Sequence, residues 1–224
     1  MNKKNFYTIL FLFLFFIILS LSVYFIPNIT KYDLYFLGKI QETFSFISPK
    51  TAFFISEFFY QNLWKFLLII VTSIVLLKNY DFLLEIMFLI SVKYGIFLKD
   101  FIKNLIARPR PPIEYQALIH HQTYSFPSGH SFHNTVLLGL TIYFIYKYIN
   151  NKYLKNFLQI CCVCWIFLVM LSRLILGVHY TTDVLGGFIL GLIIVFSIIL
   201  IDNILPKTFY INLIKKFFTK KKNV

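Results

Sequence analysis

Charged residues are scarce in this sequence, making up only 14% of its 224 positions. Soluble globular domains carry about 25% charged residues, so this composition argues against a soluble domain. Acidic residues are the rarer sign, with 9 Asp and Glu against 22 Lys and Arg. A cationic excess is also typical of nucleic-acid-binding proteins, but in so hydrophobic a chain lysines that set membrane orientation explain it better. We therefore expect a membrane protein with no nucleic-acid partner and no obligate protein partner.

Cysteine is also rare, and the three residues present, Cys161, Cys162 and Cys164, fall in a single apolar run. An odd, clustered set without neighbouring histidines or acids is a poor disulfide framework and a poor metal site. We interpret these residues as ordinary buried thiols. The sequence predicts no metal and no other cofactor.

Hydrophobic residues make up 58% of the chain, and the mean hydropathy is +0.74. A spanning helix needs about 20 mainly apolar residues. The first candidate follows Lys3 and Lys4 like a signal peptide, but its long apolar run without an Ala-x-Ala cleavage site predicts a retained helix. The sequence thus predicts an all-α bundle of six transmembrane helices, forming a single membrane domain over 1–224. The six segments are Phe6–Ile26, Asn62–Leu77, Phe82–Ile102, Ser131–Tyr148, Phe157–Leu176 and Val184–Leu205.

Lysines predict the orientation of this bundle, because cytoplasmic segments are enriched in Lys and Arg. With the N-terminus inside, 12 of the 22 basic residues are cytoplasmic, including Lys78, Lys147 and the C-terminal cluster from Lys215 to Lys222. We therefore expect the protein to lie in the cell membrane with both termini in the cytoplasm. The stretch between the first two helices, about Asn28 to Asn62, is rich in aromatic residues, and we expect it to lie along the outer interface.

This topology places three polar segments at the same, extracytoplasmic face. They are Lys103 to Pro111, Pro127 to His130 and Ser172 to Asp183. Lys103, Arg110 and Arg173 would supply cations for phosphate oxygens, and Ser128 a hydroxyl. Gly129 would let a backbone N–H approach closely at the start of a helix. Together the segments predict a binding site for a phosphate group.

Two histidines complete the predicted chemistry. His179 and Asp183 are spaced i, i+4, which places them on one face if the segment is helical. A carboxylate on one imidazole nitrogen fixes the tautomer and raises the basicity of the other, so His179 is a candidate nucleophile toward phosphorus. His130 is a candidate general acid for the leaving group.

The three segments resemble the signatures of the type 2 phosphatidic acid phosphatase family, lipid phosphatases related to vanadium haloperoxidases. The family pattern reads Lys-x6-Arg-Pro, Pro-Ser-Gly-His and Ser-Arg-x5-His-x3-Asp, and every fixed position is matched. The resemblance covers about 82–205, the expected phosphatase core. It implies a phosphohistidine on His179 polarised by Asp183, phosphate binding by Lys103, Arg110, Ser128, Gly129 and Arg173, His130 as leaving-group acid, and hydrolysis without metal.

The resemblance leaves the substrate open among undecaprenyl diphosphate, phosphatidylglycerol phosphate, phosphatidic acid and lipid A phosphate. A lipid-to-lipid phosphotransferase and a non-hydrolytic lipid-binding or transport protein are the alternatives. Three residues have open roles as well, namely Lys93, Asp100 and Arg108, and Lys93 lies on the same helix face as Asp100 and Lys103. Asp100 either positions Lys103 or marks the membrane interface, and Arg108 either contacts the headgroup or anchors the interface.

Overall fold

The computed structural model describes residues 3–58, 60, 62–79, 81–118 and 123–205. The predicted lysine cluster from Lys215 to Lys222 lies outside the described residues. Within the described ranges the chain is helical and contains no strand. The helices are α1 (Lys3–Phe25), α2 (Ile29–Thr43), α3 (Pro49–Glu57), α4 (Asn62–Lys78), α5 (Phe82–Ile106), α6 (Gly129–Tyr148), α7 (Lys152–Ile175) and α8 (Thr181–Ile204), with a short 3-10 turn at Ile113–Tyr115.

Three of these helices are long and apolar enough to cross a bilayer. They are Asn5–Phe25 within α1, α7 and α8, with mean hydropathies of 2.6, 2.2 and 3.0. Large apolar side chains such as Phe11, Ile18 and Phe167 are exposed along them, as expected for a surface that faces lipid rather than water. The prediction of an all-α membrane protein is therefore confirmed.

The cysteines differ from their prediction. Cys161 and Cys164 are exposed on α7 and Cys162 is partly buried, so the prediction of buried thiols is wrong. The reason is that an apolar neighbourhood implies burial only in a soluble protein. In a membrane helix, one apolar side packs on protein and the other is left for lipid.

Helix α6 lies at the centre of the bundle, packed against α7 and α8, and every residue from Gly129 to Thr141 is buried. Its contact with α8 is close because glycines face it. A Cβ atom on Gly187 would lie 2.4 Å from the Ser128 carbonyl oxygen, and one on Gly191 would lie 2.6 Å from Thr135 Cβ. Small residues bring helix backbones together in this way. The beginnings of α6 and α8 are consequently held side by side.

The stretch predicted to lie along the outer interface folds into α2 and α3, which pack against α7 and, for α2, also α8. Helix α3 begins at Pro49, where the Ser48 side chain accepts a hydrogen bond from the Thr51 N–H at 3.1 Å. Ala52 on its inner side is fully buried in an apolar cluster with Leu176 and Val178. The two helices therefore cover the end of the bundle at which the three signature segments lie.

Helices α4 and α5 begin at the predicted residues, Asn62 and Phe82, whereas other helices begin earlier than predicted. α7 begins at Lys152 rather than Phe157, because the Asn151 side chain accepts from the Leu154 N–H at 3.0 Å. α6 begins at Gly129 rather than Ser131, with Ser128 as its N-cap. A criterion based on apolar runs passes over the polar first turn that the capping residue sets.

Candidate active site

His179 and Asp183 lie together in a buried position, 2% and 0% exposed. His179 Nδ1 is 3.5 Å from Asp183 Oδ2 and 3.3 Å from the hydroxyl of Ser125. The Ser125 hydroxyl also donates to Asp183 Oδ2. The Nδ1 edge of the imidazole is thus turned toward Asp183 and Ser125, whereas Nε2 is 3.3 Å from Arg110 Nη1.

The i, i+4 spacing brings this pair together, but not on the face of a helix. α8 begins only at Thr181, and Asp183 occupies its first turn, where its carboxylate accepts the Tyr180 N–H at 2.9 Å. His179 precedes the helix in a turn after Gly177, whose φ is +65°. A Cβ at Gly177 would lie 1.8 Å from the Tyr115 carbonyl oxygen, so this turn requires glycine. The turn and the helix cap, rather than helical periodicity, aim His179 at Asp183.

The first signature segment contributes Lys103 and Arg110. Lys103 lies in the last turn of α5 and donates to the carbonyl oxygens of Tyr124 and Ser125. Arg110 follows the helix and donates to the carbonyl oxygens of Thr123 and Val178, each at 2.7 Å. Both cations are therefore held by backbone carbonyls, which orient them without neutralising their charge.

The second segment is attached to the third through the backbone, since the Ser128 N–H donates to the Asp183 carbonyl oxygen at 2.9 Å. The Ser128 hydroxyl caps α6 and accepts a hydrogen bond from the Ser131 hydroxyl at 3.1 Å. Gly129 opens the helix with Lys99 packed over it, 3.6 Å from Lys99 Nζ to the place of a Cβ. The hydroxyl of Ser128 is thus used within the protein, whereas Gly129 faces the site.

His130 and Arg173 are contacted by α3 and the residues after it. His130 Nε2 is 2.8 Å from Glu57 Oε1, and its ring stacks on Tyr60 with centroids 3.7 Å apart. Arg173, fully buried, donates to the Ser56 hydroxyl at 3.0 Å and lies 3.9 Å from Glu57 Oε1. Two carboxylates, Asp183 and Glu57, therefore each contact one of the two signature histidines.

These groups surround one cavity of about 310 Å³. Six of the eight predicted site residues line it, and Ser128 and Asp183 lie behind its wall. The lining residues are Tyr60, Lys99, Asp100, Lys103, Arg110, Thr123, Gly129, His130, Arg173 and His179. The cavity combines a cationic wall with two imidazoles, which suits an anion that is to be attacked by one of them.

The electrostatics of the cavity favour a neutral His179. Burial, and then the positive charges of Arg110, Lys103 and Arg173, hold the pKa of His179 well below its usual value of 6.5. The sequence predicted that Asp183 would raise the basicity of this imidazole, and here burial and the surrounding cations outweigh it. Burial also lowers the pKa of Arg110 to about 10, so Arg110 remains charged at neutral pH.

Arg108 has a third role that differs from both expected ones. It is 5% exposed and donates to Asp183 Oδ1 at 2.6 Å, to Thr182 Oγ1 at 2.7 Å and to Asp33 Oδ2 at 2.7 Å. Burial by itself would lower its pKa, but the carboxylates of Asp183 and Asp33 more than offset this and the pKa is raised. Arg108 therefore links α2 to the carboxylate that faces His179.

Sequence reasoning missed Asp33, Ser125, Glu57 and Lys99. The scarcity of acidic residues was the available signal for Asp33 and Glu57, since an acid in a chain with only 9 of them and so many cations is a candidate partner for a buried base. Ser125 lies two positions before a signature. Nothing in the periodicity of α2 or α3 pointed to the site.

The remaining candidates are placed as follows. Asp100 lies 2.6 Å from Lys99 Nζ, whereas Lys103 bonds to backbone carbonyls, so the structure does not support the proposed Asp100–Lys103 contact. Among the described residues, no group of three or more His, Cys, Asp or Glu side chains is arranged to hold a metal ion.

Comparison with known proteins gives the family. The sequence model of the PAP2 superfamily matches residues 83–205. Phosphatidylglycerophosphatase B of Bacillus subtilis is 40% identical over 103 residues, which are 45% of this chain and 49% of that protein. Lipid A 4'-phosphatase of Bacteroides thetaiotaomicron is 28% identical over 158 residues, 64% of this chain and 66% of that protein. The matched part is thus about half to two thirds of these relatives' length.

The crystal structure of a transmembrane PAP2-type phosphatidylglycerolphosphate phosphatase from Bacillus subtilis superimposes with a TM-score of 0.75. It is 27% identical and the match covers 89% of this chain and 98% of that one. The likeness therefore extends well beyond the residues that the family's sequence model matches. The chain belongs to the PAP2 superfamily.

Proposed function

We propose that this protein is a membrane lipid phosphatase that hydrolyses a phosphomonoester or diphosphate headgroup through a phosphohistidine on His179. The observation that carries the proposal is the shared cavity, in which the Nε2 edge of a neutral His179 lies beside Arg110 and the cavity is also lined by Lys103, Arg173 and His130. The names of the relatives support the lipid class. Phosphatidylglycerol phosphate is the first substrate to test, followed by lipid A phosphate, phosphatidic acid and undecaprenyl diphosphate.

In the first step, His179 Nε2 attacks phosphorus while the bond to the leaving oxygen breaks. His130 gives its proton to that oxygen. Asp183 and Ser125, on the Nδ1 side, hold the imidazole in the tautomer whose Nε2 lone pair is free to attack. Lys103, Arg110 and Arg173 balance the charge on the phosphoryl oxygens. In the second step, water attacks phosphorus, the P–N bond breaks and His130 takes the proton of the water.

The proposed setting is a bundle of six transmembrane helices, α1 and α4 to α8, forming a single membrane domain. Both termini are cytoplasmic, and the cavity opens at the extracytoplasmic face. The cations of the site supply the positive charge that a metal provides in other phosphatases. We therefore propose that catalysis needs no metal.

A phosphate-release assay on the purified protein tests this function. The substrates are the four lipid phosphates named above, each without an acceptor lipid and each with and without excess EDTA. We expect free phosphate from at least one lipid, unchanged by EDTA. Release only when an acceptor lipid is added would favour the phosphotransferase, and loss on chelation that a divalent ion restores would contradict metal independence.

The nucleophile is tested by brief incubation with a lipid carrying radioactive phosphate. Wild type should retain an acid-labile, alkali-stable label, and His179→Ala should retain none and lose turnover by about a millionfold, the scale seen when a catalytic nucleophile is removed. His130→Ala should still become labelled from an activated aryl phosphate, since that leaving group needs little protonation. Label on His179→Ala would contradict the covalent mechanism.

A further inference from the structure

Glu57 lies outside the residues that the family's sequence model matches, 83–205, yet it contacts two signature residues. It ends α3 and its carboxylate Oε1 is 2.8 Å from His130 Nε2 and 3.9 Å from Arg173 Nη1. Its side chain is 16% exposed. When His130 is protonated, this contact is a partly buried ion pair, which is stronger than one on a surface.

His130 is otherwise surrounded by positive charge. The titratable and charged groups that share the cavity with it are Lys99 with its partner Asp100, Lys103, Arg110, Arg173, His179 and Tyr60, and Glu57 contacts it from outside the cavity. Cations nearby disfavour the protonated form of an imidazole, and an adjacent carboxylate favours it. A general acid must carry its proton into the reaction. Glu57 is placed to offset the cations that bind phosphate.

Glu57 contacts His130 from behind the cavity wall. His130 and Arg173 line the cavity and Glu57 does not. The face of the His130 ring is fixed as well, because it stacks on Tyr60 at an interplanar angle of 20°. The carboxylate and the tyrosine ring together determine where the imidazole points, without occupying the space for substrate.

We propose that Glu57 is a positioning residue that keeps His130 protonated and aimed at the leaving oxygen. This inference rests on the proposed phosphatase function. In the first step the His130 proton passes to the oxygen of the breaking P–O bond, and the imidazole stays hydrogen-bonded to Glu57. In the second step the same imidazole receives the proton of the attacking water, and its positive charge is again balanced by Glu57.

The dependence on the leaving group tests the proposal. Glu57→Gln keeps the size of the side chain and a hydrogen-bonding group but removes the charge. It should lower the rate of phosphoenzyme formation about 100-fold with dioctanoyl phosphatidic acid, whose alkoxide must be protonated, and change that rate less than about threefold with p-nitrophenyl phosphate, because a positioned general acid contributes about 10²–10⁴ only where protonation of the leaving group is needed. Glu57→Asp should recover part of the loss. Glu42→Gln, at an exposed acid paired with Lys39 on α2, is the matched control and should equal wild type.

The pH profile gives a second readout that a purely structural role would not change. His130 acts in its protonated form, so kcat on the alkyl ester falls on the alkaline side. Removing the negative charge of Glu57 destabilises the protonated form, and the alkaline limb should move to lower pH. Equal losses on both esters, with an unmoved limb, would contradict the role of Glu57. Phosphate release by wild type from the four lipid phosphates tests the phosphatase function separately, and its absence with all four would overturn both proposals.

Discussion

At the scale of residues, the site is organised around buried charges that are each paired more than once. The Asp183 carboxylate accepts hydrogen bonds from Arg108, from the Ser125 hydroxyl and from the Tyr180 N–H. The Asp33 carboxylate on α2 in turn accepts hydrogen bonds from Arg108 and from both the N–H and the hydroxyl of Thr182. A carboxylate that accepts this many hydrogen bonds keeps one orientation. The imidazole of His179 is therefore held by a partner that does not itself move.

The Asp33–Arg108 pair supports a prediction about stability. Removing one member leaves the other buried without its charge partner, which is strongly destabilising, by about 3–5 kcal/mol. Asp33→Asn and Arg108→Gln should each lower the thermal unfolding midpoint in detergent. The double variant should lose less than the sum of the two, with a coupling of about 0.5–3 kcal/mol. Strictly additive losses would show that the two side chains do not stabilise each other.

Those residue contacts also show why the sequence predicted only part of the site. The signature residues were recognisable because their order and spacing are fixed along the chain. Asp33 meets Thr182 and Glu57 meets His130 only through the packing of α2 and α3 on the bundle, and no local pattern encodes such a pairing. The i, i+4 spacing of His179 and Asp183 predicted the right contact for the wrong reason, because a turn and a helix cap bring them together.

At the scale of elements, the close contact between α6 and α8 sets the position of the backbone at the start of α6, which we propose to bind phosphate. Gly187 on α8 faces the carbonyl of Ser128, the N-cap of α6. The long apolar helices were predictable from apolar runs, whereas α2, α3 and the sites of these close contacts were not, because a glycine in a membrane helix has several uses. The position of Gly129 and His130 thus depends on a residue in another helix.

The variant Gly187→Ala, which adds a single methyl group, tests this dependence. In Gly187→Ala the new Cβ would lie 2.4 Å from a backbone oxygen, so α6 and α8 must separate. We expect a loss of stability of about 1–3 kcal/mol, typical of overpacking, together with a clear fall in kcat. The matched control is Gly38→Ala on α2, where a Cβ meets nothing within 4 Å. Gly187→Ala with wild-type thermal midpoint and turnover would contradict this account of the helix contact.

At the scale of the whole molecule, the bundle has two ends that differ in their segments and in their charged residues. The signature segments, α2 and α3 lie at one end, and the loop between α6 and α7 lies at the other. At that second end, Lys147 lies 2.6 Å from Asp202 and 3.5 Å from Asp81, joining α6 to α8 and to the start of α5. Lysines near this end carry the orientation signal, and they predict that it faces the cytoplasm.

Labelling in intact cells tests this orientation. A background without Cys161, Cys162 and Cys164 is suitable, because two of the three are exposed. In it, Ile113→Cys, at a position 67% exposed near the site, should react with an impermeant thiol reagent added outside. Tyr153→Cys, at a position 86% exposed near the start of α7, should react only after the membrane is permeabilised. The reverse pattern would place the site at the cytoplasmic face.

The loop between the first two signatures is tied at its base. The Ser125 N–H donates to the Arg108 carbonyl oxygen at 2.8 Å, and the Ala117 N–H donates to that of Leu176 at 3.0 Å. The cost of lengthening a loop whose ends are already fixed grows only slowly with its length. Insertions between Leu118 and Thr123 should therefore leave the chemistry in place while reshaping the rim of the cavity. Changes in this loop, in evolution or by protein engineering, could then alter the headgroup preference while the catalytic residues stay in place.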